Sequence, residues 1–239
     1  MAIMKNSCAG SRSGARLIVF ALSISSIWIT GCATSGYHKS DATARSLQYA
    51  SWEVTAESRA LDLTVRNLNE LINRPGADLK PQFRRFSGAL DRLIKEAARN
   101  DRADVAIARK SSEYFETWDK ELAAMNYEVV RQRSQARKAE VTNDFATVHQ
   151  RYLDAQAVMQ PLLSYLEDIR KAVSADLTQR GLEAMKPIAA HADENAAKVQ
   201  VALSRLSNEL SASGRRFSSF VFQTTPRAGT NSGPQTIRR

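Results

Sequence analysis

The sequence predicts an all-α fold: an elongated antiparallel bundle of about four long helices with coiled-coil-like packing, following a cleaved signal peptide. Helix-forming residues are abundant, whereas glycine and proline are scarce, at ten and six among 239 residues. Apolar residues recur at alternating spacings of three and four, which is the pattern of helices packed in a left-handed supercoil. Short loops between long helices require antiparallel neighbours, so we expect a rod.

The first helix is expected to begin after Asp41, its predicted N-cap, and to end near Ile72. Ser51 and Ser58 occupy positions of its apolar seam, which predicts weak packing in its first half. The turn sequence 73–76 follows it. Its predicted buried positions are Leu47, Val54, Leu61, Val65, Leu68 and Ile72.

The second helix is expected to begin near Pro81, because proline suits a first helical turn, and to end before a reversal at Asn126. The polar run 99–102 interrupts its seam, but no glycine or proline lies there. The pattern therefore predicts one long helix with a solvated waist. Its predicted seam residues are Phe83, Phe86, Leu90, Leu93, Ala97, Ala108, Ser111, Phe115, Trp118, Leu122 and Met125.

The third and fourth helices carry the most regular patterns. Pro161 and Pro187 lie within them and predict bends. Thr178 is the expected N-cap of the fourth helix, and Gly214 is its expected end. The third seam consists of Val141, Phe145, Val148, Tyr152, Ala155, Met159, Leu162, Leu166, Ile169 and Val173. The fourth seam consists of Leu182, Met185, Ala189, Ala192, Ala196, Val199, Leu203, Leu206 and Leu210.

A signal peptide is predicted at the N-terminus, where basic residues precede the apolar stretch 17–29. That stretch is shorter than the about 20 residues of a membrane-spanning helix. The two alternatives to a signal peptide are a single transmembrane anchor, which this short length disfavours, and a cytoplasmic protein with an apolar N-terminus. The run Ile29-Thr30-Gly31-Cys32 resembles the bacterial lipobox. The resemblance implies cleavage between Gly31 and Cys32 and a lipid on Cys32, with three acyl chains, palmitate among them. Ala33 then indicates the outer membrane, with the protein facing the periplasm.

The chain divides into four predicted segments: the signal peptide 1–31, a lipid-anchored linker 32–40, the helical bundle 41–213 and a disordered basic tail 214–239. Cys8 would leave with the signal peptide, so Cys32 would be the last cysteine of the mature chain. Because its sulfur would carry lipid, no intrachain disulfide is expected.

No catalytic or metal-binding motif is apparent in the sequence. His38, His149 and His191 lie on different elements, without Cys, Asp or Glu at metal-ligand spacing. Nucleotide-binding glycine loops and the Gly-x-Ser-x-Gly motif are absent as well. The sequence therefore predicts a protein that is not an enzyme and that uses no cofactor and no metal.

Basic residues are the candidates for ligand contacts in this chain, whose formal net charge is +9. Arg84-Arg85 and the basic residues after Arg131 are interpreted as one cluster, and the C-terminal arginines as another. Export argues against nucleic acid and favours anionic lipid, lipopolysaccharide phosphates or acidic cell-wall polymers. A solvated helix face is the alternative. The candidate polyanion contacts are Arg131, Arg133, Arg137, Lys138, Arg215, Arg216, Arg238 and Arg239.

Tyr114, Phe115 and Trp118 form the densest aromatic cluster. Phe115 and Trp118 fit the seam of the second helix, which favours core packing over a docking patch or a small-molecule slot. Tyr114 lies one position off the seam, so we expect it at the surface. Trp52 lies beside the first seam and is interpreted as an interfacial residue.

Three segments resemble an uncharacterised family of bacterial helical, coiled-coil-like lipoproteins known only as a domain of unknown function. They are 36–41 (GYHKSD), 115–122 (FETWDKEL) and 161–169 (PLLSYLEDI), the last continuing through Asp176-Leu177-Thr178 to Gly181. The resemblance covers about residues 36–213. It implies long helices and brings no known activity, ligand or catalytic residue.

Together these observations predict a lipid-anchored cell-envelope protein that acts as a non-catalytic structural or interaction module. Its expected partner is an envelope protein or a cell-wall polymer. The alternative is a module that binds membrane lipid or acidic polymers through its basic helical faces and tail. Seams this regular can also dimerise, so the oligomeric state stays open at this stage.

Overall fold

The computed structural model describes residues 35–219, which form four helices and no strand. The helices are α1 (Ser35–Asn73), α2 (Lys80–Ala124), α3 (Glu128–Ala175) and α4 (Gln179–Phe217). In α2 and α3, 45 and 48 residues extend for about 70 Å. The predicted all-α bundle is confirmed. The predicted signal peptide, Cys32 and the last twenty residues of the tail lie outside the described residues.

Each helix packs against two neighbours: α1 and α3 both lie between α2 and α4. The connections are short, so successive helices run antiparallel. None of the four helices in the described part of the chain is long and apolar enough to cross a membrane. The bundle is held together by one apolar core that all four helices share.

The seam of α3 was predicted correctly at every position. All ten predicted residues are buried, and Leu163 is buried beside them. The seams of α1 and α4 are confirmed except at Val65 and Met185, which are half-buried. The heptad spacing in these helices therefore corresponds to real side-chain packing.

The predicted weak packing around Ser51 in α1 was wrong. Ser51 is 5% exposed, and its hydroxyl lies 2.7 Å from the hydroxyl of Ser211 and 3.0 Å from that of Ser207, both on α4. Small side chains allow the two helices to approach, and the hydroxyls then satisfy one another. The seam position is polar, but its packing is tight.

The predicted solvated waist of α2 was also wrong. Asn100 is 4% exposed and its amide donates a 2.8 Å hydrogen bond to the carboxylate of Glu57, itself 2% exposed. A polar pair across the α1–α2 interface thus replaces apolar contact at this level. Two turns further along α2, the buried face also differs from the prediction by one residue, since Ala108 is exposed and Ile107 is buried.

Two predicted helix ends need correction. Asp41 is not an N-cap, because α1 already includes residues 35–40. Gly214 does not end α4, which continues to Phe217. Glycine is needed at position 214 because α1 lies very close to the backbone there. A Cβ atom would lie 3.0 Å from Cγ of Gln48 and 3.2 Å from the carbonyl oxygen of Ala44. Gly214 permits close approach of α4 to α1.

Other predicted ends are confirmed. Pro81 lies in the first turn of α2. The hydroxyl of Thr178 accepts a 3.1 Å hydrogen bond from the backbone N–H of Gly181, which is the geometry of an N-cap. Helices α3 and α4 continue through Pro161 and Pro187, as expected.

Candidate functional site at the hairpin end of the bundle

One end of the bundle gathers most of the residues that the sequence singled out. We call it the hairpin end and define it by residues 35–41, 114–138 and 213–219. It contains the first turns of α1, the α2–α3 hairpin and the last turn of α4. The opposite end carries the α1–α2 and α3–α4 connections.

The start and the end of the described chain are fastened together at the hairpin end. The hydroxyl of Ser40 donates a 2.7 Å hydrogen bond to the carbonyl oxygen of Phe217. The backbone N–H and the hydroxyl of Ser219 each donate a 2.8 Å hydrogen bond to the carboxylate of Asp41. The backbone hydrogen bond, aided by the hydroxyl, lowers the pKa of Asp41. Asp41 therefore holds the chain just after α4 rather than capping the start of α1.

Aromatic rings pack three helices against each other at this end. The Phe217 ring of α4 stacks on that of Phe145 at 4.9 Å, and Phe145 meets Phe115 edge-on at 5.7 Å. The indole N–H of Trp118 donates a 2.8 Å hydrogen bond to the hydroxyl of Ser134. Phe115 and Trp118 are half-buried and pack against the core. The predicted core packing of these two residues is therefore confirmed only in part.

A groove of about 420 Å³ lies between the first turn of α1 and the last turns of α2. Its walls include Tyr37, Tyr114, Trp118, Glu121 and Met125. Tyr114, expected near the surface, is half-buried, and burial raises its pKa. The groove shows that the beginning of α1 lies level with residues 114–125 of α2.

The α2–α3 hairpin continues past that level and exposes apolar side chains. Tyr127 is 78% exposed, Val129 is 72% exposed and Val130 is 54% exposed. We call residues 125–130 the hairpin tip. Three large apolar side chains within four positions, all facing solvent, form the kind of patch that marks an interaction surface.

The candidate polyanion contacts that the structure describes all lie at or beside this end. Arg131, Arg133, Arg137 and Lys138 follow the hairpin tip on α3, and Arg215 and Arg216 lie in the last turn of α4. Arg238 and Arg239 lie outside the described residues. Arg84 and Arg85 lie at the other end of α2, about 60 Å away. The predicted union of those two arginines with the Arg131 cluster was therefore wrong.

Many of these charges are already paired. Arg131 contacts Glu128, Arg137 lies 2.7 Å from Glu140, and Lys138 lies 2.5 Å from Asp119. Arg216 bridges Asp144 at 3.3 Å and Glu209 at 2.9 Å. Within residues 35–219, Arg133 and Arg215 make no ion pair and are exposed. The electrostatic field at this end is therefore moderate.

A second region of interest lies in the interior, halfway along the bundle. Burial raises the pKa of Glu57 to about 7, and its hydrogen bond from Asn100 only partly opposes this. A cavity of about 10 Å³ borders Glu57, Asn100 and Gln156 and has room for about one water molecule. Tyr152 is fully buried nearby, and burial raises its pKa as well. Sequence reasoning missed this cluster, for which the polar residue Asn100 in an apolar seam was the available signal.

The three histidines lie apart from one another, and each contacts a different residue. Nδ1 of His149 lies 3.1 Å from the carboxylate of Asp104 on α2, a partner that is distant in sequence. His191 lies 3.5 Å from Glu194, and His38 packs against Tyr37. Among the described residues, no group of three or more His, Cys, Asp or Glu side chains is placed to hold a metal ion.

An exposed aromatic pair lies on the outer face of α1. Tyr49 and Trp52 are 60% and 66% exposed and meet edge-on at 5.3 Å. A groove of about 380 Å³ between α1 and α2 adjoins Tyr49 and is bordered by Arg102 and Lys110. Trp52, interpreted from the sequence as interfacial, is thus exposed on this face, and its role at an interface stays a prediction.

Fold and surfaces together define a four-helix bundle in which the two ends of the described segment are joined at one end that carries apolar and basic side chains. The chain belongs to the family described as "Protein of unknown function (DUF2959)", whose model matches residues 30–223. The predicted resemblance to a domain of unknown function is thereby confirmed. No curated protein and no solved structure matches the chain.

Proposed function

We propose that this protein is a lipid-anchored protein of the cell envelope, tethered to the outer membrane and facing the periplasm. Its helical bundle acts as a non-catalytic structural or interaction module. The observation that carries the proposal is the run Ile29-Thr30-Gly31-Cys32, which ends three residues before the first described residue of α1. A lipid on Cys32 would leave almost no linker between membrane and bundle.

The short connection has a geometric consequence for the anchored protein. Three extended residues reach about 10 Å, so a lipid on Cys32 would hold the hairpin end within about that distance of the membrane. The 39 residues of α1 extend for about 58 Å. The opposite end of the bundle would therefore reach well into the periplasm when the bundle stands upright.

The exposed pair Tyr49–Trp52 supports an interaction role. Trp, Tyr and Arg dominate the residues that contribute most to protein–protein binding. Here Tyr49 lines a groove that Arg99, Arg102 and Lys110 border together with a single acidic residue, Glu53, and Trp52 packs against Tyr49. An envelope protein with an acidic, partly apolar segment would fit this face.

A second candidate function, binding of anionic lipid or acidic polymers, is favoured by the charge pattern after the hairpin tip. Between residues 122 and 139 the basic residues are Arg131, Arg133, Arg137 and Lys138, and Glu128 is the sole acidic residue. Most of these basic groups are paired, so this contact would add to the anchor rather than replace it.

The anchor is tested by replacing Cys32 with serine, because the chain offers Cys8 as a matched control. Metabolic labelling with palmitate should mark the wild-type protein and Cys8→Ser, whereas Cys32→Ser should lose the label. Label that persists in Cys32→Ser, or is lost in Cys8→Ser, would contradict the proposed anchor.

The interaction role is tested by photo-crosslinking in cells. A photoreactive amino acid in place of Trp52 should give one dominant crosslinked product. The same amino acid in place of Leu153, which is 42% exposed on α3, is the control and should give none. Equal products from both positions, or none from Trp52, would count against this face as the partner surface.

A further inference from the structure

We propose that the hairpin tip, residues 125–130, is a second membrane contact that seats in the head-group layer of the bilayer carrying the anchor. Together with the lipid on Cys32 it gives the bundle two points of attachment and so fixes its orientation. This inference rests on the proposed anchor, but it concerns residues outside the lipobox.

The side chains of the tip have the chemistry of a membrane interface. Val129 and Val130 offer apolar surface, and Tyr127 combines an apolar ring with a polar hydroxyl. All three are more than half exposed, at 78%, 72% and 54% in chain order. In water these side chains contribute nothing to the core, because the core of α3 begins at Val141.

The position of the tip matches the position of the anchor. Gly36 and Tyr37 line the same groove as Trp118, Glu121 and Met125. Met125 belongs to the tip and also lines that groove, and the contact of Glu57 with Asn100 sets an antiparallel register in which Ser35 lies level with about residue 122 of α2. The reversal at Asn126 therefore lies about one helical turn, or about 6 Å, beyond the start of α1. Three extended residues before Ser35 would reach about 10 Å, which is enough to place a lipid on Cys32 at that level. Lipid and tip can therefore reach one bilayer surface at the same time.

Glu128 lies within the tip and is neutralised by its contact with Arg131, so the net charge that attracts an anionic bilayer is that of Arg133. Arg131 and Arg133 follow the apolar residues within the first two turns of α3, and Arg133 has no ion-pair partner among the described residues. Long basic side chains can extend along the helix and place their guanidinium groups among lipid phosphates while apolar neighbours enter the interface. Attraction of the guanidinium groups to the phosphates and burial of the apolar side chains then act at the same depth of the bilayer.

A bilayer is a better occupant than a protein because the anchor would hold the tip beside it permanently. Tethering replaces a bimolecular encounter by an intramolecular one, so even a small patch remains bound. The predicted orientation is upright, with the tip at the membrane and the α1–α2 connection away from it.

The test uses a single cysteine in the lipidated protein. In the mature chain Cys32 carries lipid, so Val129→Cys provides a unique site for an environment-sensitive fluorophore. Val105→Cys is the matched control, since Val105 is 70% exposed on α2 and lies about 30 Å from the tip. Both proteins are reconstituted in vesicles of phosphatidylethanolamine with one quarter phosphatidylglycerol, with and without nitroxide-labelled lipid.

We expect a blue-shifted emission, at least twofold brighter and quenched by the nitroxide lipids, at position 129, and water-like emission at 105. Adding Val130→Asp should reduce the quenching at 129 by at least half, whereas Val201→Asp, a change at a similarly exposed valine (51%), should not.

Water-like emission at 129 in protein that floats with the vesicles overturns the tip contact alone. A shift that is not quenched by lipid, and that grows with protein concentration, indicates a second copy at the tip and also overturns it. Protein that does not float overturns the anchor and this inference together.

Discussion

Glu57 places a carboxyl group in the interior of the bundle, and ionisation of this group near neutral pH destabilises the folded protein. It is 2% exposed, and its pKa rises from 4.5 to about 7 because burial disfavours the charged form. The folded protein therefore binds this proton more tightly than the unfolded chain does. Stability contributed by the group is present in full below pH 4.5 and falls as the pH rises to about 7.

Replacing Glu57 by glutamine should remove this pH dependence while keeping an acceptor for the amide of Asn100. At pH 8 we expect Glu57→Gln to be more stable than the wild type by up to about 3 kcal/mol, and at pH 5 the two should be nearly equal. Denaturant unfolding at both pH values measures the difference. An advantage of the same size at both pH values would show that the charge of Glu57 is not responsible.

The contact between α1 and α4 depends on small side chains at their interface. Ser51 lies against Ser207 and Ser211, and Gly214 lies against Ala44 and Gln48. Larger groups at these positions would force the helices apart and disturb the packing on both sides.

Gly214→Leu should therefore destabilise the protein by about 1–3 kcal/mol. Gly88 is the matched control: it lies in α2, is exposed, and a Cβ atom there would meet nothing within 4 Å. Gly88→Leu should leave stability unchanged or raise it by up to about 1 kcal/mol, because glycine is a poor helix former. Equal unfolding free energies for the two variants would contradict the close approach at Gly214.

Sequence periodicity located the helices well, because apolar spacing alone determines which face of a long helix is buried. The α3 seam is the clearest case, with all ten positions confirmed. Polar seam positions were misjudged, since spacing cannot show that Asn100 meets Glu57 or that Ser51 meets Ser211. The predictions of helix ends at Asp41 and Gly214 were wrong for a similar reason, since both residues make contacts between α1 and α4 that are distant in sequence.

The candidate site was predictable only in pieces. The residues of the basic cluster after Arg131 were identifiable, but their proximity to the start of α1 and to Arg215 follows from the antiparallel topology. The separation of Arg84 from this cluster follows from the length of α2. The exposed side chains of the tip carried no periodic signal, because Tyr127, Val129 and Val130 belong to no seam.

Residues 35–219 form a bundle about 70 Å long, and both ends of this described segment lie at the same end of the bundle. Ser40 and Asp41 hold the last turn of α4 there. In our account a lipid on Cys32 attaches this same end to the membrane and leaves the Tyr49–Trp52 face free along the side of the bundle. The function of the bundle is then to present that face at a fixed place in the envelope.

The most direct test is the mass of the N-terminal peptide of the mature protein isolated from cell membranes. We predict a peptide that begins at Cys32, carries fatty acyl chains on its first residue, and is followed by Ala33. Recovery of peptides from residues 1–31 in the mature protein, or of Cys32 as a free thiol, would contradict the account.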